Sequence, residues 1–284
     1  MTVFTGFNWI SADGSRINAG KWLPQQDNKA VIILIHGLGE HFKRYNNLAE
    51  FFNRKGISIY AFDQRGHGQS SGTRGHIESA DVVCADIHHL INLVKSEQPG
   101  LPLILYGHSL GGNLVLYCVL KTKPDVQGVI STSPGLSVGT PVPKIKKEAA
   151  KLLSRFLPSF TIDNGLDVNN LSHDPQVIKD YKDDPLVHPK VSLKLATDMF
   201  SNGEWIVRNA AKIPIPMLVL QGGIDHIVSK EMVEQFVKNA PEKFTTYKLY
   251  PDLYHELHNE FEKQEVLAFI YQWIRNLVET ENKM

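Results

Sequence analysis

Cysteine is scarce in this chain: Cys84 and Cys118 are the only two in 284 residues. So few exclude a disulfide framework, and because both fall inside helical apolar patterns they are expected to be buried thiols of the core. Net charge is missing as well. Thirty basic and thirty acidic residues cancel, leaving no electrostatic footprint for a nucleic acid partner. The longest apolar runs, 30–35 and 114–120, fall far short of the ~20 residues that a membrane-spanning helix needs. Residues 1–14 mix polar and aromatic types and lack a basic start with an apolar core, so no signal peptide is expected and the predicted location is the cytoplasm. What is present is a hydrophobic share of 42% with 21% charged, ordinary for a soluble protein with a sizeable core.

Strand and helix patterns alternate along most of the chain. Residues 7–12 and 15–23 read as a hairpin turned by Asp13-Gly14, a strong turn pair between two such runs. Residues 31–35 form a fully apolar, β-branched run, which is the mark of a strand buried on both faces. A helix over 45–54, a strand over 57–62 and a helix over 80–96 follow, the last with apolar residues at helical spacing. The run then continues with a strand from Leu103, a helix through Leu114 and a strand over 126–131. Between about 136 and 213 prolines and short helical pieces interrupt the alternation. It resumes with a strand at 217–220, a helix over 230–239, a strand over 245–249 and a helix over 260–278. Alternation of this kind predicts an α/β fold, a mostly parallel sheet with helices on both faces. The expected division is a core over 1–135 and 214–284 with an inserted helical cap over 136–213, above the sheet edge where open α/β sheets bind ligands.

One stretch organises the rest. Leu103-Ile104-Leu105-Tyr106-Gly107-His108-Ser109-Leu110-Gly111-Gly112 is an apolar strand, a serine between glycines, and a helix start. This is the sequence form of a nucleophile elbow, which pushes a serine hydroxyl clear of the backbone. Glycines at 107 and 111 avoid side-chain collisions across so tight a turn. The G-x-S-x-G pattern also occurs around Ser70 and Ser137. Ser70 sits in a glycine-rich loop, and Ser137 is followed by Pro141 and Pro143, which disfavour a helix. Only Ser109 has the strand before it and the helix after it.

A serine hydroxyl needs a base, and the base needs an acid to orient it. In the α/β-hydrolase plan these arrive in the order Ser, Asp or Glu, His. Asp225 follows the strand at 217–220, and His255 follows the strand at 245–249, so in a parallel sheet both loops share an edge with Ser109. Rivals exist for each role. Asp63 suits a loop cap, and Asp252 lies too near His255 in sequence to approach its ring from behind. Among twelve histidines, His88 and His89 sit on a helix, His226 adjoins the acid, and His258 is the near competitor. The backbone N–H groups of Leu110 and Leu38 are the candidate oxyanion donors. A zinc site is not expected, since His255-Glu256-Leu257-His258 lacks the H-E-x-x-H spacing. No metal or other cofactor is predicted.

His36-Gly37-Leu38-Gly39-Glu40-His41, the loop 63–72, Gly107 to Gly112 and Tyr254-His255-Glu256-Leu257-His258 together resemble the monoacylglycerol lipases, serine hydrolases of the α/β-hydrolase fold. The resemblance runs from about 7 to 275 and is weakest in the cap. It implies hydrolysis of a monoacylglycerol, a small lipid ester, to fatty acid and glycerol through an acyl-enzyme on Ser109. It further implies Asp225 and His255 as partners, and Glu40, Arg44 and His258 as substrate-binding residues that seat the glycerol. For Glu40 and Arg44 a salt bridge holding the loop stays open as the alternative role. Lysophospholipase, general carboxylesterase and a non-catalytic binder on the same fold are the competing readings.

In the cap, 144–157 is expected to be one helix. Ile145, Ala149, Leu152, Leu153, Phe156 and Leu157 lie along one face, opposed by Lys144, Lys146, Lys147, Lys151 and Arg155, with Glu148 the only acid, for a local charge of +4. Two readings stay open: a lid packed on the domain beneath, or peripheral contact with an anionic membrane surface.

Overall fold

A computed structural model describes residues 3–139 and 143–281. Ten strands appear in chain order: β1 (Val3–Ile10), β2 (Arg16–Leu23), β3 (Ala30–Ile35), β4 (Ile57–Phe62), β5 (Leu103–His108), β6 (Gly128–Thr132), β7 (Thr161–Asp163), β8 (Lys190–Ser192), β9 (Met217–Gly222) and β10 (Thr245–Tyr250). Eight helices accompany them: α1 (Asn46–Arg54), α2 (Ala80–Glu97), α3 (Leu110–Thr122), α4 (Lys144–Leu153), α5 (Pro175–Asp183), α6 (Leu193–Asn209), α7 (Lys230–Asn239) and α8 (Lys263–Glu281).

Eight strands make one sheet in the order β1-β2-β4-β3-β5-β6-β9-β10, while β7 and β8 form a separate antiparallel pair. The hairpin β1–β2 and the β2–β4 pair are antiparallel; every other neighbour in the large sheet is parallel. The expected α/β-hydrolase architecture is therefore present. Strand β3 is apolar throughout because both of its faces are covered. Val31, Ile33 and Ile35 belong to one apolar cluster and Ile32 and Leu34 to another, as the two-residue period of a strand dictates. Helices α2, α3, α6 and α7 supply the first cluster, and α1 and α8 the second. Cys84 and Cys118 are buried free thiols within the first.

The segment between β6 and β9 departs from its expected form in two ways. Helix α4 stops at Leu153 rather than continuing to Leu157. There Ser154 donates its hydroxyl back to the Lys151 carbonyl at 2.9 Å, a local bond that competes with the helical ladder. Pro158 then turns the residue before it away from helical geometry. Second, α6 is a full 17-residue helix that packs in the core layer beside α3 and α7. The side chains of Lys144, Lys146 and Lys147 lie outside the described residues, as does Pro141.

Candidate active site

The parallel strands β3, β5, β9 and β10 all run in one direction, so the loops after them meet at one sheet edge. Ser109 stands at the β5–α3 junction with φ 54° and ψ −116°, a conformation that costs a non-glycine residue free energy and occurs where surrounding contacts enforce it. The flanking glycines make the turn passable. A Cβ on Gly107 would lie 2.2 Å from the Gly111 carbonyl, and one on Gly111 only 2.1 Å from that of Ile35. The β3 loop also approaches the serine, since a Cβ on Gly37 would stand 3.3 Å from Ser109 Cβ. The other two pattern matches have different surroundings. Ser70 is buried, donates to the Asp63 carbonyl at 2.6 Å and accepts from Asn18 N–H. Ser137 precedes the isolated bridge Val138–Val228.

Asp225 and His255 meet: Asp225 Oδ2 is 2.8 Å from His255 Nδ1. An ionised carboxylate only accepts, so Nδ1 carries the proton and Nε2 of the neutral ring has its lone pair free. Asp225 also accepts from the Ile227 and Val228 N–H groups at 2.8 and 3.1 Å and from Gln221 Nε2 at 3.1 Å. Burial raises the Asp225 pKa, but His255 and these donors outweigh it and hold the group below its ordinary value. For His255 burial favours the neutral ring, while the Asp225 charge behind it favours imidazolium, and the net direction is upward. The His255 carbonyl accepts from Ser133 Oγ at 2.8 Å, and its ring lies against that of His108, centroids 4.7 Å apart. His108, next to Ser109, is kept neutral by burial and by its two histidine neighbours.

The rival residues are elsewhere employed. Asp63 accepts from Asn18 Nδ2, Gln69 N–H and Phe42 N–H, which makes it the hub of its own loop. Asp252, His226 and His89 are exposed, and His88 is partly so. His258 lies in the short helical turn Leu257–Asn259, fully buried, its ring stacked on Tyr45 at 4.7 Å. Neither of its ring nitrogens has a hydrogen-bond partner. Burial, reinforced by Arg44, pushes its pKa down to about 4 against the pull of Glu256.

Leu38 lies in the loop after β3 and is partly exposed; Leu110 is the first residue of α3. Glu40 and Arg44 are buried together. Glu40 Oε1 accepts from Gly37 N–H at 2.6 Å and from the Tyr45 hydroxyl at 2.7 Å, and its other oxygen pairs with Arg44. Arg44 also grips Glu256 bidentately at 2.7 and 2.8 Å.

Sequence reasoning missed Ser133, Glu256 and Glu260. Ser133 follows β6 with φ 43°, and nothing in its neighbourhood of the sequence marks it. Glu260 is fully buried and gathers Tyr254 N–H, His173 N–H, His173 Nδ1 and Ser172 Oγ at 2.8 to 3.2 Å. Its position five residues after His255 was the available signal.

The family model described as Hydrolase_4, serine aminopeptidase S33, matches residues 26–262. A monoacylglycerol lipase of Mycolicibacterium smegmatis is 32% identical over 94% of this chain and 95% of its own. An uncharacterized abhydrolase domain-containing protein of Dictyostelium discoideum is 36% identical over 96% of this chain, which spans only 29% of that longer protein. Among solved structures, the monoacylglycerol lipase of Paleococcus ferrophilus superposes with a TM-score of 0.83 at 33% identity, covering 93% of this chain and 98% of that one. Matched in these ways across nearly its whole length, the chain belongs to the Hydrolase_4 family, among the monoacylglycerol lipases of the α/β-hydrolase fold.

Proposed function

We propose that the protein is a serine esterase that hydrolyses monoacylglycerols, with Ser109 as nucleophile, His255 as base and Asp225 as the acid that orients it. The observation that carries this reading is the 2.8 Å contact of Asp225 with His255 Nδ1, on the same sheet edge as a serine held at φ 54°. Ser109 Oγ attacks the acyl carbonyl as its proton passes to His255 Nε2. The carbonyl oxygen, now negative, is met by the backbone N–H groups of Leu38 and Leu110, the latter among the first N–H groups of a helix and so without an intrahelical partner. When the tetrahedral intermediate collapses, the ester C–O bond breaks and the glycerol oxygen takes the proton from His255. Water then repeats the sequence on the acyl-enzyme, releasing fatty acid and restoring Ser109. His258 is our candidate for seating the glycerol, because both of its ring nitrogens lack a hydrogen-bond partner.

The segment 136–213 serves as a cap, and its outer face as a peripheral membrane contact. Ile145 and Phe156 are 79% and 76% exposed, with Leu152, Leu153 and Leu157 exposed beside them and Lys151 and Arg155 at their flanks. Contiguous exposed apolar surface of this kind marks an interaction site, and basic flanks suit anionic lipid. No helix among the described residues is long and apolar enough to cross a membrane.

The test is a substrate panel on purified protein with Ser109→Ala as control: a monoacylglycerol, a lysophospholipid and a short nitrophenyl ester. The monoacylglycerol is expected to turn over fastest. Equal or faster turnover of the lysophospholipid overturns the substrate assignment, and failure of a fluorophosphonate to label Ser109 in folded protein favours a non-catalytic binder.

A further inference from the structure

Arg44 stands between the loop after β3 and the loop after β10. Its side chain is 9% exposed and its guanidinium joins two carboxylates that come from different loops. Glu256, the residue after His255, takes both arms of the fork at 2.7 and 2.8 Å, the planar match that only arginine provides. Glu40, in the β3 loop, takes a further bond from the same nitrogen. Glu40 in turn receives Gly37 N–H at 2.6 Å, one residue before the proposed oxyanion donor at Leu38. From the inserted segment, the Tyr181 ring of α5 covers the guanidinium, its centroid 4.6 Å from Cζ.

The oxygens of both acids are already engaged by the protein. Glu256 Oε2 also accepts from Asn259 Nδ2 at 2.7 Å, and Glu40 Oε1 has two donors. The pairings keep the Arg44 pKa well above its ordinary value although burial opposes the charge. The ion pairs thus connect backbone to backbone: the chain at Gly37, through Glu40, Arg44 and Glu256, to the chain at His255.

We propose that Arg44 is a positioning residue, which fixes the loop of the base against the loop of the oxyanion donors by bridging Glu256 and Glu40. Its effect therefore falls on the chemical step of any ester, whether or not the leaving group is glycerol. This inference rests on the hydrolase reading above.

The test compares wild type, Arg44→Lys and Glu256→Gln on a monoacylglycerol and on nitrophenyl acetate, with competent sites counted by fluorophosphonate titration. Lysine keeps the charge and loses the fork; glutamine keeps the shape and loses a charge. Displacing reacting groups by about 1 Å costs on the order of 10²-fold, so kcat per titrated site is expected to fall about 10²-fold on both esters by the same factor, with KM nearly constant. Loss confined to the monoacylglycerol with a raised KM would mean a glycerol seat and overturn the proposal. So would an unchanged rate per titrated site with only a lower melting temperature, the mark of a purely structural role. If Arg44→Lys does not fold, Glu256→Gln carries the comparison. Should wild type cleave nitrophenyl acetate and spare the monoacylglycerol, the substrate reading fails while the nitrophenyl arm still decides the role of Arg44.

Discussion

Two neighbouring stretches of the inserted segment invert each other. From 168 to 192 polar groups are buried: Ser172, Ser192 and His188 are 3%, 0% and 8% exposed. From 145 to 162 apolar groups are out in solvent, with Ile145, Leu152, Phe156, Phe160 and Ile162 all exposed. The first stretch is fastened to the loops of the candidate site. Glu256 N–H donates to the Leu171 carbonyl at 2.7 Å, His188 N–H to that of Gly39 at 2.8 Å, and His41 meets Asp184 at 2.8 Å. Buried polar groups persist where their partners are supplied, so this half belongs to the frame that holds His255. The second half makes few such bonds and leaves its apolar side chains uncovered. The difference teaches that the segment has two halves of opposite character, one tied by hydrogen bonds to the loops around His255 and one with its apolar side chains in solvent.

The largest effect sets the baseline for both. Ser109→Ala should keep the melting temperature and lose on the order of 10⁶-fold in turnover, measured on the nitrophenyl ester. Next, Asp225→Asn should cost about 10⁴-fold, by analogy with triads in which the amide selects the wrong tautomer. In the wild type the base must be neutral to act, and it is neutral above its pKa. Because Asp225 raises that pKa, kcat/KM should climb with pH through a midpoint above 6.5. A flat profile from acid to neutral would remove His255 from the role.

Smaller effects separate the two stretches. Glu260→Ala strips the partner from the Tyr254 and His173 backbone N–H groups and from His173 Nδ1. Each buried donor left unpaired costs about 1–3 kcal/mol, so thermal or urea unfolding should register a clear loss, accompanied by lower turnover. Phe156→Ser and Ile145→Ser, at exposed positions, should change stability by no more than about 0.5 kcal/mol while abolishing co-sedimentation with anionic vesicles. Destabilisation of Phe156→Ser as great as that of Glu260→Ala would erase the contrast drawn above.

The core was readable from the chain because its cause is local. β3 and β9 declare themselves through the apolar runs 30–35 and 217–220, and α7 through its spacing, its start held by Ser229, which accepts from Met232 N–H. Ser109, Asp225 and His255 stood out as candidates because each lies in the loop or turn that follows a strand of the parallel sheet. The three-residue strands β7 and β8 were not, since so short a pairing has no periodicity to detect. Nor was α6, hidden behind the irregular stretch before it. Glu40 and Arg44 are visible as an i,i+4 pair, but Glu256 reaches Arg44 across 212 residues, and only the folded sheet brings them together. The amphipathic character of α4 was plain in the sequence; the direction its apolar face points is a tertiary fact.

The elbow has one further consequence. Gly111 abuts the carbonyl of Ile35, and β3 pairs directly with β5, so the contortion at Ser109 is enforced by a strand more than 70 positions upstream. A nascent or half-assembled polypeptide lacking that pairing possesses the serine without the turn that β3 enforces. Covalent labelling by an organophosphorus reagent is therefore expected to count only the chains in which β3 and β5 have paired.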